Sequence, residues 1–330
     1  MELCKKLPKF PLLFLPIIVI ENALRNLNPI ELIKFSQISK RCLKMIKYST
    51  RKNPFKIIVT FSHSPQIRIK SGHDFYNMAR PFFPEDFDVN LDKYGCVRIL
   101  WSANWIEYIL DALNCKINDF SIRSEECLYS FPFIIDWFST MKHCLEFAAF
   151  EGQAIISEHL KLFLEACKTT RGLVLSLYQS YEILPVDINS LKMDYIGLSG
   201  RTQSLNWITL NTIMSFDCID LKLGEFVFAE TEMNLFLKDF LKGRILPRMK
   251  NFWIELLPMN FQLLTDGIEA NQREKTVVRE YVHKYPMLSI TFRGRTDVHK
   301  ESGELVTFEQ SPPPSPFDPN CKARFRMVVW

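Results

Sequence analysis

Glycine is scarce in this chain, with 11 residues among 330, whereas phenylalanine is abundant with 27. So few glycines leave little room for the tight turns that cradle phosphate groups, and neither G-x-G-x-x-G nor the P-loop pattern occurs. An excess of charge of one sign is lacking as well, because 41 Lys and Arg stand against 37 Asp and Glu, a net charge of +4. The composition therefore argues against a nucleotide-binding enzyme, and it predicts no nucleic-acid partner, which would require a clustered basic face.

The patterns that build metal sites and catalytic sites are also missing. The nine cysteines include no C-x-x-C pair, the six histidines form no H-E-x-x-H, and no G-x-S-x-G occurs. On a helix, neighbours such as His143-Cys144 or Glu158-His159 point about 100° apart, so neither pair converges on one reacting atom. We therefore expect no catalytic residue, no metal ligand and no cofactor. An enzyme whose site is assembled from distant residues is one open alternative, and it would need a deep pocket.

Two features bear on the cellular compartment. Scattered cysteines are typical of reduced, buried thiols, which favours the cytoplasm or the nucleus. A lysine-flanked apolar run, Phe10–Ile20, resembles a secretory signal, but Pro11 and Pro16 interrupt it and it is shorter than the roughly 20 residues that span a membrane. We expect this run to belong to a folded module, with no membrane partner. A cleaved signal on a secreted binding protein is the alternative.

The first fifty residues carry the clearest helical pattern. After the extended pair Leu15-Pro16, apolar residues recur at helical spacing, namely Ile17, Ile20, Ala23, Leu24 and Leu27. Asn28, Pro29 and Glu31 form a capping-box-like start for a second helix, and Ser39 can cap a third over Lys40–Lys47. Three helices this short cannot bury so much aliphatic surface alone, so part of it is predicted to dock on another protein. Packing on the rest of this chain is the alternative.

These residues resemble the F-box. The resemblance lies in Phe10-Pro11-Leu12-Leu13, Leu15-Pro16, Leu24, Leu27, Pro29, Leu32, Phe35, Ser36, Ser39, Lys40 and Arg41, and Phe14 departs from the polar residue that often precedes Leu-Pro. The family binds the Skp-type adaptor of cullin-based ubiquitin ligases. The adaptor contacts that the resemblance implies are Leu15, Pro16, Ile17, Ile20, Leu24, Leu27, Pro29, Leu32, Ile33 and Phe35.

A strand and helix array is predicted after the F-box-like segment. Apolar residues alternate over residues 55–70, which predicts a hairpin. The pattern also predicts a short strand at Val97–Trp101 and a helix at Trp105–Leu113. Further strands are expected to begin at Leu145, Leu173, Leu191, Ile219, Phe252 and Leu288, with amphipathic helices such as Ile155–Cys167 and Glu232–Leu241, the latter capped by Thr231. Successive strand starts are 18 to 36 residues apart, which is around the repeat length of leucine-rich repeats.

Period-two alternation in these strands predicts one buried face and one open face. For example, Leu173, Leu175 and Leu177 oppose Val174 and Ser176. Aromatic and charged side chains on an open sheet face suit a protein target. The expected target contacts are Tyr178, Lys192, Asp194, Asp220, Lys222, Trp253, Glu255 and Arg293. Ordinary solvent-exposed strand residues are the alternative interpretation of each.

The second half of the chain resembles the F-box-associated domain that is expanded in nematode F-box proteins. The resemblance lies in Asn206-Trp207-Ile208-Thr209-Leu210, Ile219-Asp220-Leu221, Asn234–Lys238 and Pro247-Arg248-Met249. The ending, Ser302–Val306 followed by Phe325–Trp330, is similar to the closing hairpin of that domain. Between its strands, Ser311–Pro316 reads as an extended loop.

These observations lead to an α+β fold, with a three-helix F-box followed by an irregular leucine-rich-repeat-like strand and helix array. The expected domains are an F-box over 8–50, a connecting layer over 51–114 and an F-box-associated, target-binding domain over 115–330. The expected function is that of a non-catalytic substrate-recognition subunit, whose partners are a Skp-type adaptor, through it a cullin, and an unknown target protein. The alternative is a leucine-rich-repeat-like binding protein, secreted or not, that has no ubiquitin role.

Overall fold

The computed structural model is an α+β protein, which confirms the expected class. It describes residues 15–52, 55–62, 65–72, 74–78, 103–127, 130–141, 145–152, 157–168, 170–178, 192–200, 208–224, 226, 228–256, 259–282, 289–311 and 323–330. The described residues up to Asn118, apart from Phe61 and Ser62, form one compact unit. Those from Asp119 to Trp330, together with Phe61 and Ser62, form the second unit. The three-part division made from the sequence stays a prediction.

The first unit combines four helices with a three-stranded antiparallel meander. The helices are α1 (Ile17–Arg25), α2 (Pro29–Ser36), α3 (Lys40–Ser49), followed by a 3-10 turn at Thr50–Lys52, and α4 (103–113). The strands are β1 (Lys56–Phe61), β2 (Gln66–Ser71) and β3 (Asp74–Met78). The predicted hairpin is thus confirmed and is extended by a third strand that the sequence pattern missed. The expected strand at Val97–Trp101 lies outside the described residues.

Local capping explains where the helices of the first unit begin. Asn28 accepts a hydrogen bond from the Glu31 N–H at 3.0 Å, and the Glu31 carboxylate accepts one from the Asn28 N–H at 2.8 Å. The predicted capping box is therefore confirmed, with Pro29 at the first helical position, where its missing N–H costs nothing. Ser39 accepts from the Cys42 N–H at 3.2 Å and starts α3 as predicted.

The second unit alternates strands with helices and ends in antiparallel strands. Its elements are β4 (Ile117–Arg123), a 3-10 turn (Ser124–Glu126), α5 (Phe131–Thr140), β5 (Phe147–Gly152), α6 (Ser157–Ala166), β6 (Gly172–Leu177), β7 (Tyr195–Gly200), α7 (Leu210–Met214), β8 (Asp220–Gly224), α8 (Glu230–Leu241), β9 (Asn251–Leu256), α9 (Phe261–Leu264), β10 (Asn271–Val282), β11 (Ser289–His299), β12 (Leu305–Ser311) and β13 (Ala323–Val329). Strands β4 to β9 are parallel and adjacent in chain order. Beyond β9 the order continues antiparallel through β13, β12, β11 and β10.

Most expected elements of this unit are present, with several differences. Strands β4 and β10 were not among the expected strand starts, and β7 begins at Tyr195 rather than at Leu191. The predicted cap Thr231 is wrong, because α8 begins at Glu230 and the Glu232 carboxylate accepts a hydrogen bond from the Ala229 N–H at 2.7 Å. The closing hairpin of β12 and β13 is confirmed. Residues 10–14, 206–207 and 312–316, on which parts of the resemblance and the loop prediction rest, lie outside the described residues, as do Leu191 and Leu288.

The core of the second unit lies between one face of the parallel strands and the helices. Leu173, Leu175 and Leu177 are buried there, as their alternation predicted. Aromatic rings fill much of the space: Phe120 of β4 stacks on Phe138 of α5, with ring centroids 3.9 Å apart. The rings of Phe150 and Phe163 (5.3 Å) and of Phe236 and Phe252 (5.0 Å) join further strands to helices in the same way. The abundance of phenylalanine thus builds this layer.

The β10–β11 hairpin folds back over part of the opposite, open face. Tyr281 of β10 donates a hydrogen bond to Asp220 of β8 at 3.1 Å, although five strand spacings, roughly 24 Å in a flat sheet, separate the two strands in order. The register shift between Arg273 and Val278 and the positive φ of 136° at Arg295 mark where the hairpin bends. The hairpin therefore covers the row of the open face that contains Asp220.

The hairpin is held by a buried carboxylate, Asp297, which is 1% exposed. It accepts hydrogen bonds from Arg279 at 2.8 Å, from Thr307 at 2.6 Å and from Arg273 at 3.0 Å. Burial alone would raise the pKa of Asp297, but these hydrogen bonds and the Arg279 charge outweigh it, so the pKa lies below its usual value. The ionised form is thus stabilised by folding.

We expect Phe138→Ala to lower the free energy of unfolding by about 3–5 kcal/mol, because the fully buried ring stacked on Phe120 is replaced by a cavity. Urea unfolding followed by circular dichroism measures the change. Leu263→Ala is the control, since Leu263 of the same unit is 53% exposed and its truncation should change the value by less than about 0.5 kcal/mol. Equal losses in the two variants would contradict the packing described.

We expect Asp297→Asn to destabilise the chain by about 2 kcal/mol or more at neutral pH, because Arg273 and Arg279 lose their shared buried counter-charge. A carboxyl whose folded pKa is lowered contributes stability above its unfolded pKa and loses it as pH falls through the folded pKa. The difference between wild type and variant should therefore shrink below about pH 4. Asp266→Asn, at an exposed aspartate, should show neither effect in the same unfolding titration.

Candidate functional site

An exposed aliphatic surface on α1 is the first candidate site. Ile17, Ile18 and Val19 expose 52%, 69% and 46% of their surface, while Ile20 and Leu24 on the other side of the helix are buried. Ile38, between α2 and α3, is 70% exposed. Helix α1 is thus apolar on two sides, and only one side packs within its own unit. We call Ile17, Ile18 and Val19 the α1 patch.

The expected adaptor contacts divide into buried and accessible residues. Ile20, Leu24, Leu32 and Ile33 are at most 3% exposed, and Pro29 is buried as well. Their assignment as adaptor contacts stays a prediction, and within the chain itself these side chains are buried in the first unit. Pro16 and Ile17 are exposed, whereas Leu15, Leu27 and Phe35 are partly exposed. Sequence reasoning missed Ile18, Val19 and Ile38, although helical spacing places Ile18 and Val19 away from the buried positions.

A row of large side chains on the open face of the second unit is the second candidate site. Trp253 of β9 lies directly opposite Lys222 of β8 on one side and Arg326 of β13 on the other. The Lys222 ammonium is 4.7 Å from the centre of the Trp253 ring, a cation–π contact. Lys222 is exposed, and Trp253 and Arg326 are partly exposed. We call these three residues the tryptophan row.

Carboxylates next to the tryptophan row pair with Arg326 of the row and with two neighbouring arginines. Glu309 lies 3.8 Å from Arg326 and also receives a hydrogen bond from Arg295. Glu255 is 3.6 Å from Arg324. Lys222 has no carboxylate within ion-pair distance among the residues that the structure describes. Arg324 and Arg326 were missed in the sequence, although their alternation in β13 with Phe325 and Met327 pointed to an open face.

The structure brings together only some of the expected target contacts. Lys222, Trp253 and Glu255 share one region of the open face. Tyr178 follows β6, where it donates a hydrogen bond to Glu151 at 2.9 Å, and Arg293 lies on the β10–β11 hairpin. The remaining expected contacts are Lys192, Asp194 and Asp220.

Lys192 and Asp194 stand at the beginnings of the parallel strands, not on the tryptophan row. Asp194 pairs with Arg248 at 2.8 Å, and Arg248 and Lys192 each pair with Asp217, at 3.3 and 3.4 Å. Asp220 is the clear correction: it is 2% exposed, because Tyr281 and the hairpin cover it. Its alternation was predicted correctly, but its accessibility was not.

Burial shifts the pKa of one histidine and three cysteines elsewhere in the chain. His159 stacks on Phe131 at 4.3 Å, and burial lowers its pKa against the opposing effect of Glu158. Burial raises the pKa of Cys115 and of Cys218 to about 12 and raises that of Cys167 as well, so these thiols are protonated at neutral pH and poor nucleophiles. Cys42, Cys115, Cys127, Cys167 and Cys218 are free thiols, as expected of reduced cysteines.

A cleft of about 490 Å³ lies near the edge of the second unit. Its lining residues are Phe261, Gln272, Arg295, Thr296, Phe308, Glu309 and Gln310. Among these described lining residues, Glu309 is the one carboxylate and it pairs with arginines, and none is a cysteine, serine or histidine that could act as a nucleophile with a base. Within the described part of the chain, no group of three or more His, Cys, Asp or Glu is placed to hold a metal ion. The helices of that part include none that is long and apolar enough to cross a membrane.

Two protein-family models match the chain. The F-box domain model matches residues 12–53, which include α1, α2 and α3, and the F-box associated model FBA_2 matches residues 180–254, which include Lys222 and Trp253. No curated protein and no solved structure matches the chain. The chain therefore carries an F-box domain followed by an F-box associated domain, the pair that is typical of non-catalytic F-box substrate-recognition proteins.

Proposed function

We propose that this protein is the substrate-recognition subunit of a cullin-based ubiquitin ligase. The F-box docks a Skp-type adaptor and through it a cullin, while the C-terminal domain holds a target protein. The mechanism is proximity, because a tethered target meets the ligase at a high effective concentration and no residue of this chain performs bond chemistry. The free thiols support a location in the cytoplasm or the nucleus.

The α1 patch is the observation that carries this proposal. Three consecutive aliphatic side chains that are roughly half exposed or more cost free energy in water, at about 25 cal/mol per Å² of apolar surface. Contiguous exposed apolar surface marks interaction sites. The patch lies within the residues that the F-box model matches, contains the expected contact Ile17 and adjoins the expected contacts Leu15 and Pro16. An adaptor groove that accepts an apolar helix face would cover it.

We further propose that strands β4 to β9 form a leucine-rich-repeat-like array whose open face receives the target. Consecutive parallel strands in chain order, with α5, α6, α7 and α8 between β4 and β5, β5 and β6, β7 and β8, and β8 and β9, are the construction of such repeats. Lys222, Trp253 and Glu255 are the expected target contacts that this face keeps accessible. Tyr178, Lys192, Asp194 and Arg293 stand outside the tryptophan row, so their proposed contacts with the target lie at its margins.

We expect Ile18→Asp to weaken binding of a Skp-type adaptor at least about tenfold, because a carboxylate would be buried without a partner at the interface. The full chain and the adaptor are co-expressed, and the 1:1 complex is measured by size-exclusion chromatography and calorimetry. The variant should unfold at the same temperature as wild type, since Ile18 is exposed.

Leu235→Asp is the matched control, because Leu235 is 54% exposed on α8, in the other unit, and should leave adaptor binding unchanged. Wild-type binding by the Ile18 variant would remove the α1 patch from the interface. A folded wild-type chain that does not bind the adaptor would overturn the ligase proposal itself.

A further inference from the structure

The tryptophan row favours an acidic target segment. We propose that the target of this protein presents a run of acidic residues, which lies across β8, β9 and β13 and contacts Lys222, Trp253, Arg324 and Arg326. This inference rests on the proposed target-binding role of the C-terminal domain and specifies the chemistry of the target.

The β10–β11 hairpin confines the accessible part of the open face. It covers the row that contains Asp220 and Asn251, each 2% exposed, and removes the Asp220 carboxylate from any contact with a ligand. The next row along the strands, which contains Lys222, Trp253 and Arg326, stays accessible. A bound segment therefore meets the basic row rather than the acidic residue that the sequence pattern had placed beside it.

The charges on this part of the face are predominantly positive. Lys222, Arg295, Arg324 and Arg326 stand against two carboxylates, Glu255 and Glu309. Glu309 is 5% exposed and is shared by two arginines, so it presents little negative charge to a ligand. A further carboxylate described on this face, Glu151 of β5, is paired with Arg123 and Tyr178. An acidic segment is the complement of this surface, because like charges across an interface are costly.

Trp253 gives the same surface an apolar anchor. Trp253 stands between Lys222 and Arg326 on the neighbouring strands, and Trp and Arg are enriched among the residues that dominate binding energy. On the other side of Lys222, the row continues with Gly197, which is buried next to Val174 and the Tyr195 ring. A segment that combines acidic residues with an apolar residue against Trp253 fits the accessible part of the row.

The test uses two short fluorescent peptides, one of alternating glutamate and alanine and one of alternating lysine and alanine. Each is titrated against the full chain, alone and in the adaptor complex, and binding is read from fluorescence anisotropy. We expect the glutamate peptide to bind and the lysine peptide not to bind, with affinity falling as salt rises. Lys222→Glu should weaken the glutamate peptide about tenfold.

Lys242→Glu is the matched control, with the same change of net charge at an exposed lysine that ends α8 on the helix side. It should bind the glutamate peptide as wild type does. No binding of the glutamate peptide, equal binding of the lysine peptide, or equal losses in the two variants would each overturn the inference. Adaptor binding is measured separately, so loss of the acidic specificity leaves the ligase proposal standing, and a failed adaptor complex leaves the peptide result interpretable.

Discussion

The two faces of each parallel strand in the second unit meet different surroundings, and most features of that unit depend on this difference. Helices cover one face, and phenylalanine rings from both layers, such as Phe120 on Phe138, fill the space between them. No helix of the described residues covers the other face, so its polar side chains pair with one another or remain in water. The β10–β11 hairpin shields one row of that face, and it can do so because Asp297 holds the two arginines that anchor its bend. What remains open is the tryptophan row.

The helices of the first unit are too short to bury all of their apolar residues. Ile20, Leu24, Leu32 and Ile33 form a common core, and that core excludes the α1 patch. Exposing the second apolar side of α1 to water is unfavourable in free energy, and burying that side at an interface would remove this penalty. The buried set therefore supports binding indirectly, because it holds α1 in the position from which the patch is presented.

Local signals in the sequence predicted local structure well. The Asn28–Glu31 capping box, the Ser39 cap and the alternation of Leu173, Leu175 and Leu177 each involve residues within a few positions of one another, and each is confirmed. Accessibility was harder to predict, because it depends on distant segments. Asp220 alternates as an exposed residue should, yet Tyr281, sixty-one residues later, covers it. Likewise, helical apolar spacing does not tell which of two apolar sides of a helix faces the core. The expected adaptor contacts therefore include both buried and exposed residues.

The pairing of charges on the open face limits how a target can gain affinity there. A single exposed ion pair contributes about 0–1 kcal/mol, and a carboxylate approaching Arg324 or Arg326 competes with Glu255 or Glu309 for the same guanidinium. These internal partners also hold the arginines in place before binding, which reduces the conformational entropy that binding must remove. Within the tryptophan row, Lys222 contacts the Trp253 ring and pairs with no described carboxylate. Its positive charge is therefore more available to an acidic ligand than the charges of Arg324 and Arg326. Affinity then has to come from several acidic residues acting together with a contact on Trp253, and this requirement selects a run of acidic residues over an isolated one.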